Sequence, residues 1–115
     1  MFHEELAMTA VFVTFDYDAN FDRKRILGIA ERAKGTFAGM PGLRQKAFTI
    51  DDENRRARNV YLWESEDAAR AFFTPELAQR ITSFYGVRAR IEFAEVAALV
   101  DNAGKAGQPS TPANA

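Results

Sequence analysis

The chain of 115 residues contains no cysteine and a single histidine, His3. Without cysteine, the chain cannot form disulfides, thiolate nucleophiles, iron–sulfur clusters or cysteine-based zinc sites. Imidazole is the commonest metal ligand and general base, so one histidine close to a terminus leaves little material for a metal site. Motifs for flavin or nucleotide binding and phosphate-cradling glycine loops are also missing. We therefore expect no metal ion and no cofactor.

Long apolar runs and an excess of charge of one sign are missing as well. Charged residues make up 27% of the chain and the net charge is −1, which does not favour a nucleic-acid partner. No run approaches membrane-spanning length, and the apolar stretch near the start lacks the basic flank and cleavage site of a secretory signal. The sequence predicts a cytoplasmic protein with no membrane partner.

Four segments rich in valine, isoleucine, phenylalanine and threonine predict β-strands. The second and third are joined by the charged, turn-forming stretch DDENRRARN, which is typical of a hairpin, so we expect them to be antiparallel. The predicted strands are residues 9–16, 43–50, 59–64 and 87–100.

Two segments with helical spacing separate these strands. The first is expected to be capped by Asp18 or Asn20 and to end at the turn AGMPG. The second begins at the N-cap Ser65, is interrupted at Thr74, which precedes a proline, and ends where Gly86 can adopt a left-handed conformation.

The order strand, helix, strand, strand, helix, strand predicts an α+β, ferredoxin-like βαββαβ fold, with an antiparallel sheet and both helices on one face. We expect one domain over residues 9–102, preceded by an N-terminal extension of residues 1–8. Residues 103–115 are small, polar, glycine and proline residues, a composition that predicts a disordered tail.

Both faces of the predicted sheet carry large apolar side chains. Val11, Val13 and Phe15 alternate with Ala10 and Phe12 on the first strand, and the third strand repeats this pattern, with Tyr61 and Trp63 on one face and Val60 and Leu62 on the other. Two helices can cover only one face, and soluble monomers rarely expose so much contiguous apolar surface. The sequence therefore predicts a homodimer through the uncovered sheet face.

Four short motifs resemble a known family: PGLRQKAF at residues 41–48, YLWESEDAARAFF at 61–73, FYG at 84–86 and VDN at 100–102. They are similar to the YdhR-like family, to which a monooxygenase activity is ascribed, within the dimeric α+β-barrel superfamily that includes the antibiotic-biosynthesis monooxygenases. The resemblance implies two ferredoxin-like subunits, each with a ligand cleft between its sheet and its helices. It also implies a cofactor-independent monooxygenase that acts on a small aromatic or phenol-like substrate.

The resemblance further implies site residues. In cofactor-independent oxygenases of this superfamily an asparagine and a tryptophan on a sheet strand line the cleft, and Asn59 and Trp63 resemble that catalytic pair. Lys46 occupies the lysine position of the PGLxxK pattern, and Arg80 is the candidate for an arginine near the pocket. The expected substrate-binding residues are Lys46, Tyr61, Phe12, Arg80 and Tyr85.

The residues themselves leave other interpretations open. Trp63 is better explained as a core anchor than as a catalytic group. Asn59 is equally well explained as a polar residue beside a hairpin, and Lys46 as an exposed lysine that protects a sheet edge. A non-catalytic dimer that binds a small ligand or responds to stress would use the same pocket. An RNA-binding RRM-like module is less favoured, because the aromatic positions of its second motif would fall on Arg58 and Val60.

Overall fold

The computed structural model describes residues 8–102 of the chain. His3, all but the last residue of the expected N-terminal extension, and the tail predicted to be disordered lie outside the described residues. In the described part, no helix has the length and apolar character needed to cross a membrane. The elements are β1 (Thr9–Asp16), α1 (Arg23–Phe37), β2 (Leu43–Asp51), β3 (Arg56–Trp63), α2 (Glu66–Phe72), α3 (Pro75–Tyr85) and β4 (Ala89–Glu95).

The four strands form one sheet in the order β2-β3-β1-β4. All three pairings are antiparallel, as predicted for the β2–β3 hairpin. The predicted α+β, ferredoxin-like fold is confirmed, with the third helix arising from the predicted break in the second helical segment.

The N-cap of α1 lies later in the chain than predicted. Asp22 caps the helix, its side chain accepting a hydrogen bond from the backbone N–H of Arg25 at 3.1 Å, so the assignment to Asp18 or Asn20 was wrong. The carbonyl of Asp18 instead accepts from the N–H of Phe21 at 3.3 Å, which closes a turn between β1 and α1. This turn uses the residues on which the sequence pattern had placed the cap.

The break between α2 and α3 is confirmed. Ser65 caps α2 by accepting from the N–H of Ala68 at 3.0 Å, and Thr74 caps α3 by accepting from the N–H of Leu77 at 3.2 Å. Pro75 stands at the first turn of α3, where its missing N–H costs no hydrogen bond. Gly86 ends α3 with a φ of 83°, a conformation that glycine adopts without strain.

Strand β4 is shorter than predicted, because its partner strand β1 begins only at Thr9. Thr9, the first residue of β1, pairs with Glu95, and within residues 8–102 the ladder continues only through a hydrogen bond of 3.0 Å from the N–H of Val96 to the carbonyl of Met8. Residues 97–100 therefore have no strand partner among the described residues, and Val100 is 81% exposed.

The core lies between one face of the sheet and the helices. Val11, Val13 and Phe15 of β1 are fully buried there, together with Tyr61 and Trp63 of β3. Side chains of α1, α2 and α3 complete this cluster from the other side. The opposite sheet face is only half-buried in the single chain, as the alternation of burial along β3 shows.

Candidate active site

A cavity of about 540 Å³ opens between the sheet and helices α1 and α3. Its walls are mostly aromatic and aliphatic, with a small number of polar groups, which is the usual composition of a small-molecule site. It is lined by Ile29, Arg32, Ala33, Thr36, Phe37, Lys46, Phe48, Asn59, Tyr61, Phe72, Leu77, Arg80, Ile81, Ser83, Phe84 and Tyr85.

The register of the β2–β3 hairpin assembles the floor of the cavity. Lys46 pairs with Tyr61 and Phe48 pairs with Asn59, so these four side chains share the face that the helices cover. Helix α3 brings Tyr85 over this floor. The alternation of the two strands and the position of one helix thus place residues from distant parts of the chain around one space.

Asn59 and Tyr85 form a hydrogen-bonded pair in the cavity wall. The Nδ2 atom of Asn59 donates to the hydroxyl oxygen of Tyr85 at 3.2 Å, and the two side chains come from β3 and α3. Asn59 is 3% exposed and Tyr85 is 5% exposed. Because the hydroxyl of Tyr85 acts as acceptor in this bond, its own hydrogen remains available to donate to a ligand.

The position of Tyr85 is fixed from two further directions. Its ring stacks on Phe15 with 3.7 Å between the centroids and 7° between the planes. The hydroxyl of Tyr17 donates to the backbone carbonyl of Tyr85 at 2.7 Å, and the guanidinium of Arg25 donates to the carbonyl of Phe84 at 2.9 Å. The donor that faces the cavity is therefore held before any ligand arrives.

Burial keeps both tyrosines of the cavity protonated. Loss of solvent raises the pKa of Tyr85, with the hydrogen bond from Asn59 acting in the opposite direction. Loss of solvent also raises the pKa of Tyr61 well above its usual range, and the neighbouring Tyr85 adds to this shift. At neutral pH the two hydroxyls are donors and not bases.

Lys46 lies in the cavity with its amine against three aromatic rings. Its Nζ atom is 3.3 Å from the centroid of Phe37, 4.1 Å from that of Phe48 and 4.3 Å from that of Tyr61. Burial lowers the pKa of Lys46 to about 7. Contact with the ring faces acts against this shift, because their negative quadrupole favours the ammonium.

The charged groups of the cavity are all cationic. Arg32, Lys46 and Arg80 belong to its lining, and no aspartate or glutamate does within residues 8–102. The whole chain, in contrast, carries a net charge of −1. A site of this composition favours an anionic ligand, or one that becomes anionic in the cavity. Across the described part of the chain, no cluster of three or more histidine, aspartate or glutamate side chains is arranged to hold a metal ion.

The structure places five of the seven expected site residues around this cavity. They are Asn59, Lys46, Tyr61, Arg80 and Tyr85.

The other two expected site residues lie elsewhere. Phe12 is on the opposite sheet face, between the buried neighbours Val11 and Val13, and pairs with Val60; the assignment of Phe12 to the cleft needs correction because strand alternation turns it away. Its ring lies 5.5 Å from the guanidinium carbon of Arg58.

Trp63 shares the helix-covered face with Asn59 but lies behind the cavity wall. Its ring is 5.2 Å from Phe72 and 6.1 Å from Phe73, the two aromatic residues at the end of α2, and 6.2 Å from Tyr61. The ring is 2% exposed, and its Nε1 atom has no hydrogen-bond partner within residues 8–102. Trp63 thus supports Tyr61 from behind and does not line the cavity.

Sequence reasoning missed Arg32 and Ser83 as cavity residues. Arg32 follows Ile29 by three residues on α1, so helical spacing places it beside the buried stripe, and this signal was available. Ser83 lies on α3 between the expected residues Arg80 and Tyr85. Neither residue type in isolation distinguishes a cavity from a solvated helix surface.

The architecture is shared with several solved structures. A monooxygenase from the gene ActVA-Orf6 of Streptomyces coelicolor, in complex with nanaomycin D, has a TM-score of 0.59 and 20% identity over 84% of this chain and 92% of that chain. The cofactor-independent oxygenase SnoaB of Streptomyces nogalater has a TM-score of 0.56 and 17% identity, with 84% and 97% of the two chains covered.

A protein of unknown function from Nitrosomonas europaea has a TM-score of 0.65 and 13% identity over 87% of this chain and 99% of that chain. At these identities the likeness shows a shared fold. No curated protein matches the chain closely. Residues 11–98 match the family described as "Putative mono-oxygenase ydhR", and this stretch runs from the third residue of β1 to beyond the end of β4. The chain belongs to the ydhR mono-oxygenase family.

Proposed function

We propose that this protein is a cofactor-independent monooxygenase whose substrate is a small aromatic compound with a phenolic hydroxyl. The observation that carries the proposal is the hydrogen-bonded pair of Asn59 and Tyr85 in an aromatic cavity whose charged residues are all cations. Preorganised donors and cations in a water-poor site stabilise a phenolate oxygen better than water does. The membership of the family and the fold shared with a cofactor-independent oxygenase support the same reaction class.

The chemistry needs a substrate that supplies all the electrons. Deprotonation of a phenol or an anthrone gives an electron-rich anion that can reduce O₂ directly. For an anthrone the CH₂ carbon becomes C=O, one oxygen atom of O₂ enters this carbonyl, and the other leaves as water with the two hydrogens that the carbon lost. O₂ is the only oxidant, so the task of the protein is to position the anion and stabilise its charge.

The cavity residues divide this task. Tyr85 donates its hydrogen to the phenolate oxygen, and Asn59 holds the hydroxyl of Tyr85 in the orientation that makes this possible. Arg80 and Arg32 provide positive charge at the helix side of the cavity. We assign Trp63 a positioning role, since it packs behind Tyr61 and does not reach the cavity.

The same proposal includes a homodimer through the sheet face opposite the helices. Phe12, Val60 and Leu62 are half-buried on this face in a single chain, although strand side chains of this type usually become buried. A standard interface buries about 800 Å² on each partner, and an isologous dimer needs only one self-complementary patch. The cytoplasmic location expected from the sequence stays a prediction.

The test is O₂ consumption by chelator-treated protein with a panel of hydroquinones and anthrones. We expect turnover with at least one substrate, and a fall in kcat of about tenfold for Asn59→Ala, because Asn59 orients the hydroxyl of Tyr85 through one hydrogen bond. Asn54→Ala is the matched control, because Asn54 bonds to Asp51 in the exposed β2–β3 hairpin, outside the cavity lining.

Binding without O₂ consumption on every substrate would overturn the proposal and would favour a non-catalytic ligand-binding dimer. The cavity observation supports that second function equally, because the same donors and cations would hold an anionic aromatic without turnover.

A further inference from the structure

We propose that Lys46 is the base that removes the phenolic proton of the substrate, and that the three rings around its amine hold the ammonium that results. This inference rests on the proposed function and names the proton acceptor in that same site. It changes the role of Lys46 from a resting positive charge to a group that becomes charged during the reaction.

The position of the amine is the first support. The three rings come from three elements: Phe37 ends α1, Phe48 lies two residues along β2, and Tyr61 is the cross-strand partner of Lys46 on β3. Distances of 3.3–4.3 Å from Nζ to their centroids hold the amine at the cavity wall. A flexible lysine side chain is thereby fixed where a ligand would lie.

The absence of a carboxylate partner is the second support. No aspartate or glutamate lies within salt-bridge distance of Lys46 in the described part of the chain, whereas the exposed Lys34 of α1 lies 3.4 Å from Glu31. A buried lysine without a counterion loses solvation when it is charged, and so tends to be neutral. A proton brought by the ligand would restore the charge at the moment when a phenolate appears beside it.

The other ionisable groups of the cavity are not suited to accept the phenolic proton. Tyr61 of β3 and Tyr85 of α3 are kept protonated by burial, while Arg32 of α1 and Arg80 of α3 remain cations. Both arginines line the same cavity, where their positive charge favours a phenolate. The pKa of Lys46, lowered by burial to about 7, leaves a free amine available at and above neutral pH.

In the proposed step Lys46 takes a proton from the substrate and gives it back by the end of the turnover. The phenolic O–H bond breaks, its electron pair stays on the oxygen, and the proton forms an N–H bond at Nζ of Lys46. The phenolate then accepts a hydrogen bond from Tyr85 and gives electrons to O₂. The leaving oxygen atom takes the two hydrogens that the oxidised carbon lost, as above, and the ammonium of Lys46 returns its proton to the phenolate oxygen of the product, so the lysine is neutral again after each turnover.

Binding of 2-naphthol without turnover tests this step. A phenol with a pKa near the tyrosine value of about 10 is neutral in solution at about pH 8, and its anion absorbs at a longer wavelength. We expect the naphtholate band to appear on binding to the wild-type protein, with no net proton released to the buffer, because the proton stays on Lys46. Calorimetry in buffers of different ionisation enthalpy counts the released protons.

Three variants complete the experiment. Lys46→Met should bind 2-naphthol with the naphtholate band reduced at least tenfold, and the control Lys34→Met should match the wild type. Lys46→Arg keeps a positive charge but cannot accept a proton, so it should show the band together with release of about one proton. Lys46→Arg also retains a long cationic side chain, so the inference can still be tested if Lys46→Met fails to fold.

A wild-type protein that binds 2-naphthol in its neutral form would overturn the inference. So would a wild-type protein that forms naphtholate with release of a proton, as expected for Lys46→Arg, because Lys46 would then be a resting cation. Either result would leave the oxygenation proposal in place, since that proposal depends on O₂ consumption and not on the identity of the base.

Discussion

The two faces of the sheet differ in what covers them, although the sequence gives both faces large apolar side chains. On the helix-covered face Val11, Val13 and Phe15 are fully buried in the single chain. On the opposite face Phe12 and Val60 are half-buried, and the last residue of β1, Asp16, carries a charge. One face therefore stabilises the protomer and holds the cavity, whereas the other is the face through which we propose that the dimer forms.

The largest expected effect tests the covered face. Phe15→Ala removes a fully buried ring that stacks on Tyr85, and should lower the free energy of unfolding by about 3–5 kcal/mol. Denaturant unfolding measures the loss. Phe12→Ala, on the same strand but the opposite face, should cost the protomer about half as much and should also weaken self-association. Equal losses without any change in association would remove the distinction between the faces.

The next effect tests the opposite face. Leu62→Arg should place a charge in the proposed dimer interface and raise the dissociation constant at least about 100-fold, which corresponds to roughly 2.7 kcal/mol. Light scattering after gel filtration, over a dilution series, would follow the change in mass. Leu27→Arg is the control, because Leu27 is 42% exposed on α1. A monomeric wild-type protein at every concentration, or a dimeric Leu62→Arg variant, would contradict the proposed dimer.

The smallest effect concerns the charged end of the opposite face. Asp16 of β1 bonds to Arg56 of β3 at 2.7 Å and to Arg90 of β4 at 2.6 Å, so one carboxylate joins three strands. These two hydrogen bonds, that from Arg56 first, lower the pKa of Asp16 below its ordinary value of 3.8. The side chain is 42% exposed, and solvent weakens such pairs, so we expect Asp16→Asn to cost only about 0.5 kcal/mol at neutral pH.

The pH dependence of this loss follows from the direction of the shift. A carboxyl whose pKa is lowered by folding stabilises the folded state above its ordinary pKa, and this contribution is lost as the pH falls through the lowered value. The difference in melting temperature between Asp16→Asn and wild type should therefore be constant near neutral pH and shrink below about pH 4. Asp18→Asn, in the exposed turn after β1, is the control. A difference that persists in acid would show that the ion pairs are not its cause.

The sequence predicted the faces of the sheet better than the contents of the cavity. Alternation along β3 placed Asn59, Tyr61 and Trp63 on one side because the strand period is two, and the structure agrees. Alternation along β1 likewise placed Phe12 on the other side. The wrong assignment of Phe12 to the cleft came from treating an aromatic residue as a ligand contact without considering which face of the sheet it occupies.

The alternation of side chains along the strands could not predict that Trp63 lies outside the cavity. It depends on where α2 ends, since Phe72 and Phe73 fill the space beside the indole. The cavity itself is a gap between packed elements, and a gap is a property of tertiary packing that no local pattern encodes. For the same reason the length of β4 was overestimated, because it is set by the first residue of β1 and not by its own composition.

Isotope incorporation tests the central claim most directly. Single-turnover reaction of the chelator-treated protein with an anthrone under ¹⁸O₂ should give a product with one labelled carbonyl oxygen and the second atom in water. Tyr85→Phe should slow formation of this product by about 10²–10³, the range measured when one oxyanion donor is removed. Product oxygen derived from water, release of hydrogen peroxide in place of incorporation, or the same rate without protein would contradict the account.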